Sequence, residues 1–159
     1  ILVLMASEHP LAPYDVVPWA KLAQYPQVMF KDGYGMQRLV QTQFQQQGLD
    51  LNAVMELNTL DAFRGVIRQG EMISLLPQGA LVEAQTDPTL AIRPLAQLDP
   101  SSSDEDSLTR QVVMVTTQDR LLIPPIANFR ELVRDSFQER RQKPSAAFAS
   151  SLATSTAES

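Results

Sequence analysis

The stretch ELNTLDAFRGVIRQGEMISLLP, residues 56–77, contains the succession of elements that decides the fold. The apolar run Ala53 to Leu57 predicts a strand, and Asn58 or Thr59 is the predicted N-cap of the helix that follows. The predicted buried face of this helix consists of apolar residues at helical spacing, namely Leu60, Phe63, Val66 and Ile67. Met72 to Leu76 predicts the next strand. A strand, a helix and a strand in immediate succession indicate a βαβ unit.

The chain before this stretch follows the same plan. Ile1 to Ala6 is a continuous apolar run, which is typical of a strand buried on both faces in a parallel sheet. Trp19 to Tyr25 predicts a short helix, and Val28 to Phe30 predicts a second strand. A longer helix begins near Gly35 and ends at Gly48, where a C-terminal cap belongs. Its predicted buried face is Met36, Leu39, Val40 and Phe44, and glutamines cover its other side.

The chain after the stretch adds a further unit of the same kind. Gln78 to about Ala84 predicts a short helix, and Leu90 to Pro94 predicts a strand. Strands therefore alternate with helices along this part of the chain. This alternation indicates an α/β fold with a parallel sheet and helices on its faces.

The remaining segments differ sharply in composition. Asp99 to Ser107 is too polar to pack and is predicted to be a solvated loop. Arg110 to Thr117 returns to strand character, and Pro124 begins a helix. The predicted buried face of that helix is Ile126, Phe129, Leu132, Val133 and Phe137. From Lys143 onward the chain is rich in Ala, Ser and Thr and is predicted to be a disordered tail.

Composition limits the classes of function. The formal net charge is -5 over 159 residues, so the average surface repels phosphate and makes the chain a poor binder of nucleic acid. The absence of cysteine and the single histidine exclude disulfides, thiolate nucleophiles and multi-histidine metal sites. Ile1 to Met5 is too short to span a bilayer and lacks the basic flank of a signal peptide. Because the chain opens within a strand and without an initiator methionine, we expect it to be a fragment.

Motifs for catalysis are absent from the sequence. It contains no GxxxxGK loop followed by Ser or Thr, no GxSxG elbow and no HExxH motif. His9 precedes Pro10 in a loop without an orienting carboxylate at a telling spacing, which favours a structural role over a general base. Glu56 is either a perturbed carboxylate in a cleft or, as we favour, a residue that faces solvent or pairs with an arginine.

Arginines are the candidate charged ligands for an anion, because guanidinium groups bind carboxylates through paired hydrogen bonds. The candidates are Arg64, Arg68, Arg93 and Arg110. Arg64 and Arg68 are spaced i, i+4 on the predicted solvent face of a helix. Solvation at the surface is therefore the favoured interpretation for these two.

Three turns that follow strands are the best candidates for a binding site. Free backbone N–H groups at a helix start favour anions, and in open α/β sheets ligands bind beside the carboxyl ends of the strands. The alternative for Asn58 and Thr59 is a plain N-cap, and turn glycines alone are a weak signal. The candidate residues are Gly33, Tyr34, Gly35, Asn58, Thr59, Leu76, Pro77 and Gln78.

Several blocks of the sequence resemble the effector-binding domain of LysR-type transcriptional regulators. Glu56 to Phe63, Val66 to Gly70 and Ile73 to Pro77 resemble the central signature, which is a strand, an Asn-Thr cap, a helix and a strand ending in LLP. His9 to Ala12 is similar to the HPLA connector of the family, and Arg38, Phe44 and Gly48 match its next helix. Thr109 to Val115 and Pro124 to Phe137 resemble the returning strand and the last helix, so the resemblance extends from Ile1 to about Phe137.

The resemblance implies a fold like that of type II periplasmic binding proteins, with two α/β lobes of parallel or mixed sheets joined by crossing strands. Residues 1–15 would end the first lobe and form the crossover, and residues 16–107 would form the second, effector-binding lobe. Residues 108–142 would be the return strand and C-terminal helix of the first lobe, which would be incomplete. Residues 143–159 would be the disordered tail.

The resemblance also implies a function. The chain would sense a small, often anionic metabolite in the cleft between the lobes, without catalysis, metal or cofactor. Its partners would be that effector and further copies of itself in a dimer or tetramer, in the cytoplasm and away from membranes. DNA would be bound only through a winged helix-turn-helix domain that this sequence lacks. By the same analogy the effector would shift the angle between the lobes and so the spacing of the DNA-binding domains.

Two departures and two rival interpretations accompany the resemblance. Gln69-Gly70-Glu71 stands where GxG is usual, and Gly33 and Tyr34 replace hydroxyl residues, which weakens any inference about the effector. A solute-binding protein of a transport system shares the fold and would be distinguished by an export signal upstream. An enzyme on the same lobes would need a positioned acid, base or nucleophile, and the sequence shows none.

Overall fold

The structure is a computed structural model that describes residues 1–96, 113–120 and 123–142. The chain divides into two compact units, residues 1–111 and residues 112–159. The predicted loop at Asp99 to Ser107, Arg110 and the predicted tail from Lys143 lie outside the described residues. Among the described residues no helix is both long and apolar enough to cross a membrane.

The central strand of the first unit is β1 (Leu2–Ala6), with β4 (Ser74–Leu76) on one side and β5 (Leu90–Pro94) on the other. Val3, Leu4 and Met5 have no exposed surface, so the predicted buried strand is confirmed. The predicted parallel orientation is wrong, because β1 is antiparallel to both neighbours. A continuous apolar run reports burial on both faces, and that burial does not depend on the direction of the neighbouring strands.

The other sheet pairs β2 (Gln27–Phe30) with β3 (Ala53–Leu57), and these strands are parallel as predicted. A parallel bridge between Gln27 and Ile73 connects β2 to the residue that precedes β4. The Val28 N–H donates to the Ile73 carbonyl at 2.9 Å, and the Ile73 N–H donates to the Pro26 carbonyl at 3.1 Å. β3, β2 and β4 therefore run in the same direction.

The hydrophobic core lies between β1, β2 and the helices α1 (Trp19–Leu22) and α2 (Gly35–Gln46). The Trp19 ring meets the Phe44 ring edge-on at 5.4 Å between centroids. The predicted apolar face of α2 is confirmed, with Met36, Val40 and Phe44 fully buried and Leu39 partly buried. The glutamines predicted on its other side are exposed at Gln41, Gln45 and Gln46, but Gln37 and Gln43 are buried.

Gly48 directly follows Gln47, the C-cap residue of α2, and has a φ of +62°, a conformation that favours glycine. We expect Gly48→Ala to lower the free energy of unfolding by about 1 kcal/mol, because the added methyl group strains a left-handed residue. Gly65 is the matched control. It lies in a helix without positive φ, and a Cβ there would meet open space, so Gly65→Ala should raise stability by about 0.5–1 kcal/mol. Urea denaturation of both variants measures the difference, and a loss at Gly65 with no loss at Gly48 would contradict this assignment.

The helix predicted after β3 is α3 (Leu60–Ile67), and Phe63 and Ile67 on its inner face have no exposed surface. The single short helix predicted from Gln78 to about Ala84 is instead two 3₁₀ turns, Gln78–Ala80 and Ala84–Thr86. Only Leu81 and Ala84 of this segment are buried, and two apolar positions are too few to anchor a continuous α-helix.

The second unit contains α4 (Pro124–Gln142), which confirms the predicted helix. Three residues of its predicted buried face are exposed, with Phe129 62%, Leu132 67% and Phe137 55% accessible, whereas Ile126 and Val133 are half-buried. Residues 113–117, the described part of the predicted returning strand, form no strand. A helix buries its apolar stripe only against another layer, and the described residues of this unit supply none.

Candidate functional site

The carboxyl ends of β2 and β3 lie side by side. Phe30 and Leu57 are paired in the parallel register, and the Lys31 N–H donates to the Leu57 carbonyl at 2.9 Å. The turn that follows β2 and the turn that follows β3 are therefore neighbours. β4 runs in the same direction as these strands, so its end, at Leu76, is directed toward the same side. The structure thus brings the first two predicted turns together and directs the third toward their edge.

The first turn leaves the start of α2 without a side-chain cap. The Asp32 carboxylate accepts a hydrogen bond from the Gly33 N–H at 2.8 Å, and Gly33 has a φ of +92° that favours glycine. Tyr34 is the N-cap residue, but its side chain makes no capping hydrogen bond, and the first turn of α2 contains no acidic residue. The partial positive charge of this helix end is therefore not neutralised by a side chain of the helix.

The second turn is capped by its own chain. Thr59 is the N-cap of α3, and its Oγ1 accepts a hydrogen bond from the Ala62 N–H at 3.4 Å. Asp61 adds a negative charge to the first turn of the same helix. The predicted N-cap role of Thr59 is thus confirmed, while Asn58 is exposed directly before it. A ligand at this turn would share the Thr59 hydroxyl with the helix cap.

An aromatic cluster connects the two turns. The Phe30 ring stacks on the Tyr34 ring at 5.5 Å between centroids, and it also contacts the Phe63 ring at 4.8 Å. Phe63 is fully buried, whereas Tyr34 is 49% exposed. Phe63 belongs to α3 and Tyr34 caps α2, so the Phe30 ring fixes the two helix starts relative to each other.

Lys31 is a residue of this edge that the sequence analysis did not single out. It directly follows β2, its side chain is exposed, and within the described residues its ammonium group has no ion pair. The sequence did contain a signal for Lys31, because a positively charged residue stands between the predicted strand and the predicted start of the next helix. Lys31 supplies a positive charge beside the uncapped start of α2.

Glu56 lies on the exposed strand β3, where Val54 is 53% and Met55 is 37% exposed. Its Oε1 accepts a hydrogen bond from Gln37 Nε2 at 2.9 Å. The favoured exposed position is confirmed, but the partner is a glutamine of α2 and not an arginine. A carboxylate in this position holds β3 against α2.

Three of the four arginines that the structure describes in this unit, Arg64, Arg68 and Arg93, make contacts within the chain. Arg64 forms ion pairs with Asp61 and Glu83, and these hydrogen bonds raise the pKa of the guanidinium. The expectation that Arg64 is simply solvated is therefore wrong, because its side chain is only 16% exposed. Arg93 donates from Nε to the Ala12 carbonyl and from a terminal nitrogen to the Ile92 carbonyl, both at 2.9 Å.

Arg68 is also paired. It forms an ion pair with Asp87, although its own side chain is 48% exposed. The Thr89 hydroxyl and N–H donate to the same carboxylate at 2.6 Å and 3.0 Å. The hydrogen bonds from Thr89 and Arg68 lower the pKa of Asp87 to about 2. Arg64, Arg68 and Arg93 are thus engaged within the chain. The positive groups that remain near this edge are the helix start, Lys31 and the exposed Arg38 of α2, which has no ion pair among the described residues.

His9 has the structural position that the sequence favoured. It is 2% exposed, its Nδ1 accepts a hydrogen bond from the Leu11 N–H at 3.1 Å, and burial lowers its pKa. Among the described residues no group of three or more His, Asp or Glu side chains is arranged to hold a metal ion.

Sequence comparison identifies similar proteins over most of the chain. A family model described as "LysR substrate binding domain" matches residues 1–138. A probable nitrogen assimilation transcriptional activator of Synechococcus elongatus is 48% identical over 136 residues, which cover 86% of this chain and 41% of that protein. A protein of the same name from Synechocystis sp. is 45% identical over 138 residues, which cover 87% of this chain and 44% of that protein. The chain spans less than half the length of these curated relatives.

Structural comparison also finds regulatory and effector binding domains. The CcmR regulatory domain of Synechocystis PCC6803, solved in complex with 2-PG, superposes with a TM-score of 0.55 at 29% identity, covering 60% of this chain and 47% of that one. The effector binding domain of QuiR, solved in complex with shikimate, has a TM-score of 0.55 at 20% identity, covering 62% of this chain and 46% of that one. At 20% identity the second likeness concerns the fold alone.

Proposed function

Because the chain belongs to the LysR substrate binding domain family, we propose that it is the effector-sensing part of a LysR-type transcriptional regulator. We place the effector site at the carboxyl ends of β2 and β3. The supporting observation is the hydrogen bond from the Lys31 N–H to the Leu57 carbonyl at 2.9 Å, because it brings two strand-to-helix turns side by side. The predicted α/β fold, of the type II periplasmic-binding-protein kind, is confirmed by its structural neighbours.

We also propose the lobe boundaries that the resemblance implies. Residues 16–107 would be the second lobe, residues 1–15 the end of the first lobe and the crossover, and residues 108–142 the C-terminal part of the first lobe, which contains α4.

The effector that fits this edge is a small anion. An uncapped start of α2, the exposed Lys31 and the exposed Arg38 of α2 supply positive potential, while Arg64, Arg68 and Arg93 are engaged elsewhere. The proposed contacts are Gly33, Tyr34, Gly35, Asn58, Thr59, Leu76, Pro77 and Gln78, with Lys31 added from the structure. The relatives named as nitrogen assimilation activators support an effector that reports nitrogen supply.

The wider assignment rests on the family. The parent regulator acts in the cytoplasm as a dimer or tetramer through its effector domains and binds DNA through a separate domain. The chain has no catalytic role in this account, and its effector changes the equilibrium between two conformations of the regulator. This reading is favoured over a transport-type solute-binding protein, because the relatives at 45% and 48% identity are named as transcriptional activators.

Thr59→Ala tests the second turn. We expect the affinity for the bound anion to fall about tenfold, because one hydroxyl hydrogen bond to a charged ligand is lost. Loss of the helix cap should cost about 1 kcal/mol of stability, near the lower part of the usual range because the cap hydrogen bond is long at 3.4 Å. Calorimetric titration with small carboxylates, phosphates, nitrate and nitrite measures the affinity.

Thr86→Ala is the matched control for this variant. The Thr86 hydroxyl also makes one hydrogen bond, to the Glu83 carbonyl at 3.1 Å, but it lies in an exposed 3₁₀ turn away from the edge. Its anion affinity should equal that of the unsubstituted chain. If a folded Thr59→Ala variant binds as tightly as the control, the second turn is not part of the site.

A further inference from the structure

The segment from Ser7 to Tyr14, here called the connector, joins β1 to the residues before α1 through a series of tight turns. The His9 N–H donates to the Ala6 carbonyl at 3.1 Å, the Ala12 N–H to the His9 carbonyl at 2.8 Å, and the Tyr14 N–H to the Leu11 carbonyl at 3.2 Å. Arg93 of β5 donates to the Ala12 carbonyl at 2.9 Å. The connector is therefore held between β1 and β5, the two strands at the centre and the edge of one sheet.

The side chain of His9 makes a hydrogen bond within the connector. Its Nδ1 accepts the Leu11 N–H at 3.1 Å, so Nδ1 is unprotonated and the ring proton is on Nε2. Nε2 is buried without a hydrogen-bond partner among the described residues. The Tyr25 ring meets the imidazole edge-on at 4.6 Å between centroids. The imidazole is thus buried with a single accepted hydrogen bond.

The surroundings of His9 do not stabilise a positive charge. β1 carries no titratable side chain, and of the connector's own titratable groups Glu8 is exposed and Tyr14 is 37% exposed. Tyr25, which follows α1, contacts the imidazole with the two ring planes at 62°, and Arg93 of β5 is itself a cation. Burial is the cause of the lowered pKa of His9, with no opposing carboxylate.

We propose that His9 makes the connector a proton-sensitive clasp, closed while the imidazole is neutral and released from β1 and β5 when Nδ1 takes up a proton. A protonated Nδ1 becomes a donor that faces the donor N–H of Leu11, so their hydrogen bond is lost and a charge is left buried. Opening the connector exposes the imidazolium to water and removes both penalties. The clasp is independent of the proposed effector site.

The direction of the pH dependence follows from proton linkage. The closed connector lowers the pKa of His9 below its ordinary value of 6.5, so the open form binds protons more readily. The closed form is therefore fully favoured above pH 6.5 and loses that advantage as the pH falls toward the lowered pKa. One titrating group changes the opening equilibrium by up to about tenfold per pH unit within this window.

Hydrogen exchange on the 159-residue chain tests the clasp. The protection of the Leu11 amide, corrected for intrinsic exchange chemistry, should fall by up to about tenfold per unit from about pH 6.5 downward. The amides of Val3 and Leu4 should stay protected, which separates local opening from global unfolding. Because the chain has one histidine, its imidazole carbon resonance reports protonation without ambiguity. Unchanged Leu11 protection down to about pH 5.5 would overturn the proposal, whether or not the imidazole titrates.

Two variants test whether the Nδ1 acceptor and its protonation control the connector. In His9→Asn the Oδ1 atom replaces Nδ1 as acceptor for the N–H two residues later, as in an Asx turn, and it does not titrate. Its Leu11 amide should be protected equally at all pH values in this range. His9→Phe fills the same space against Tyr25 without an acceptor, so its Leu11 amide should exchange rapidly even at neutral pH. Protection of that amide in His9→Phe at the level of the unsubstituted chain would overturn the proposal.

Discussion

Phe44→Ala is expected to lower the free energy of unfolding by about 3–5 kcal/mol, which is a large share of the stability of a domain of this size. The Phe44 side chain is 1% exposed, and its ring meets Trp19 edge-on at 5.4 Å between centroids. It connects α2 and α1 on the core side of the sheet. Removing the ring forfeits the transfer free energy of the aromatic group and leaves a cavity in the tightly packed interior.

Phe44→Leu is the graded control, because it retains an apolar side chain and creates a smaller cavity. We expect it to cost less than half as much as the alanine variant. Denaturation by urea, followed by the fluorescence of the single tryptophan, measures both changes. A loss below about 1 kcal/mol for Phe44→Ala would show that this ring is not part of a packed core.

Gln27→Met is expected to raise the free energy of unfolding by about 1–3 kcal/mol. Gln27 has no exposed surface, and neither its Nε2 nor its Oε1 has a hydrogen-bond partner among the described residues. Burying an amide without partners costs its desolvation free energy, whereas methionine has similar length and no strongly polar group. The backbone contact of Gln27 to the Asn52 carbonyl at 2.8 Å is unaffected by the substitution.

Gln37→Met is the matched control for this prediction. Gln37 is also buried, at 9% exposure, but its Nε2 donates to Glu56 at 2.9 Å. Its replacement should therefore destabilise the chain by about 1 kcal/mol or leave it unchanged. If Gln27→Met lowers the free energy of unfolding more than Gln37→Met does, the Gln27 amide has a bound water or another hydrogen-bond partner, and the premise that it is unsatisfied is wrong.

Most elements of the fold could be predicted from periodicity and turn residues. The strand and helix on either side of Thr59 follow from an apolar run, a cap and a 3.6-residue stripe, and each of these is a local property. The direction of β1 could not be predicted, because an apolar run indicates burial and not pairing. The burial of Gln27, Gln37 and Gln43 could not be predicted either, since it depends on which elements pack together.

The candidate site was predictable to a similar extent. That the turns after β2 and β3 are neighbours follows from the topology of a parallel βαβ unit. The pairing of Arg64 and Arg68 with acidic residues of the segment after β4 was not predictable, because the partners Glu83 and Asp87 are distant in sequence. The aromatic contact between Phe30 and Phe63 was missed for the same reason.

The most direct test of the central claim is to map where an anion binds by following backbone amide resonances. A titration with small carboxylates, phosphates, nitrate and nitrite should show at least one ligand that shifts the amides of Gly33, Gly35 and Thr59 together. The same ligand should leave the amides at the opposite ends of β2 and β3, Gln27 and Ala53, unchanged. If no member of the panel binds at millimolar concentration, or if the shifted amides lie at Gln27 and Ala53 instead, the edge formed by the two turns is not the effector site.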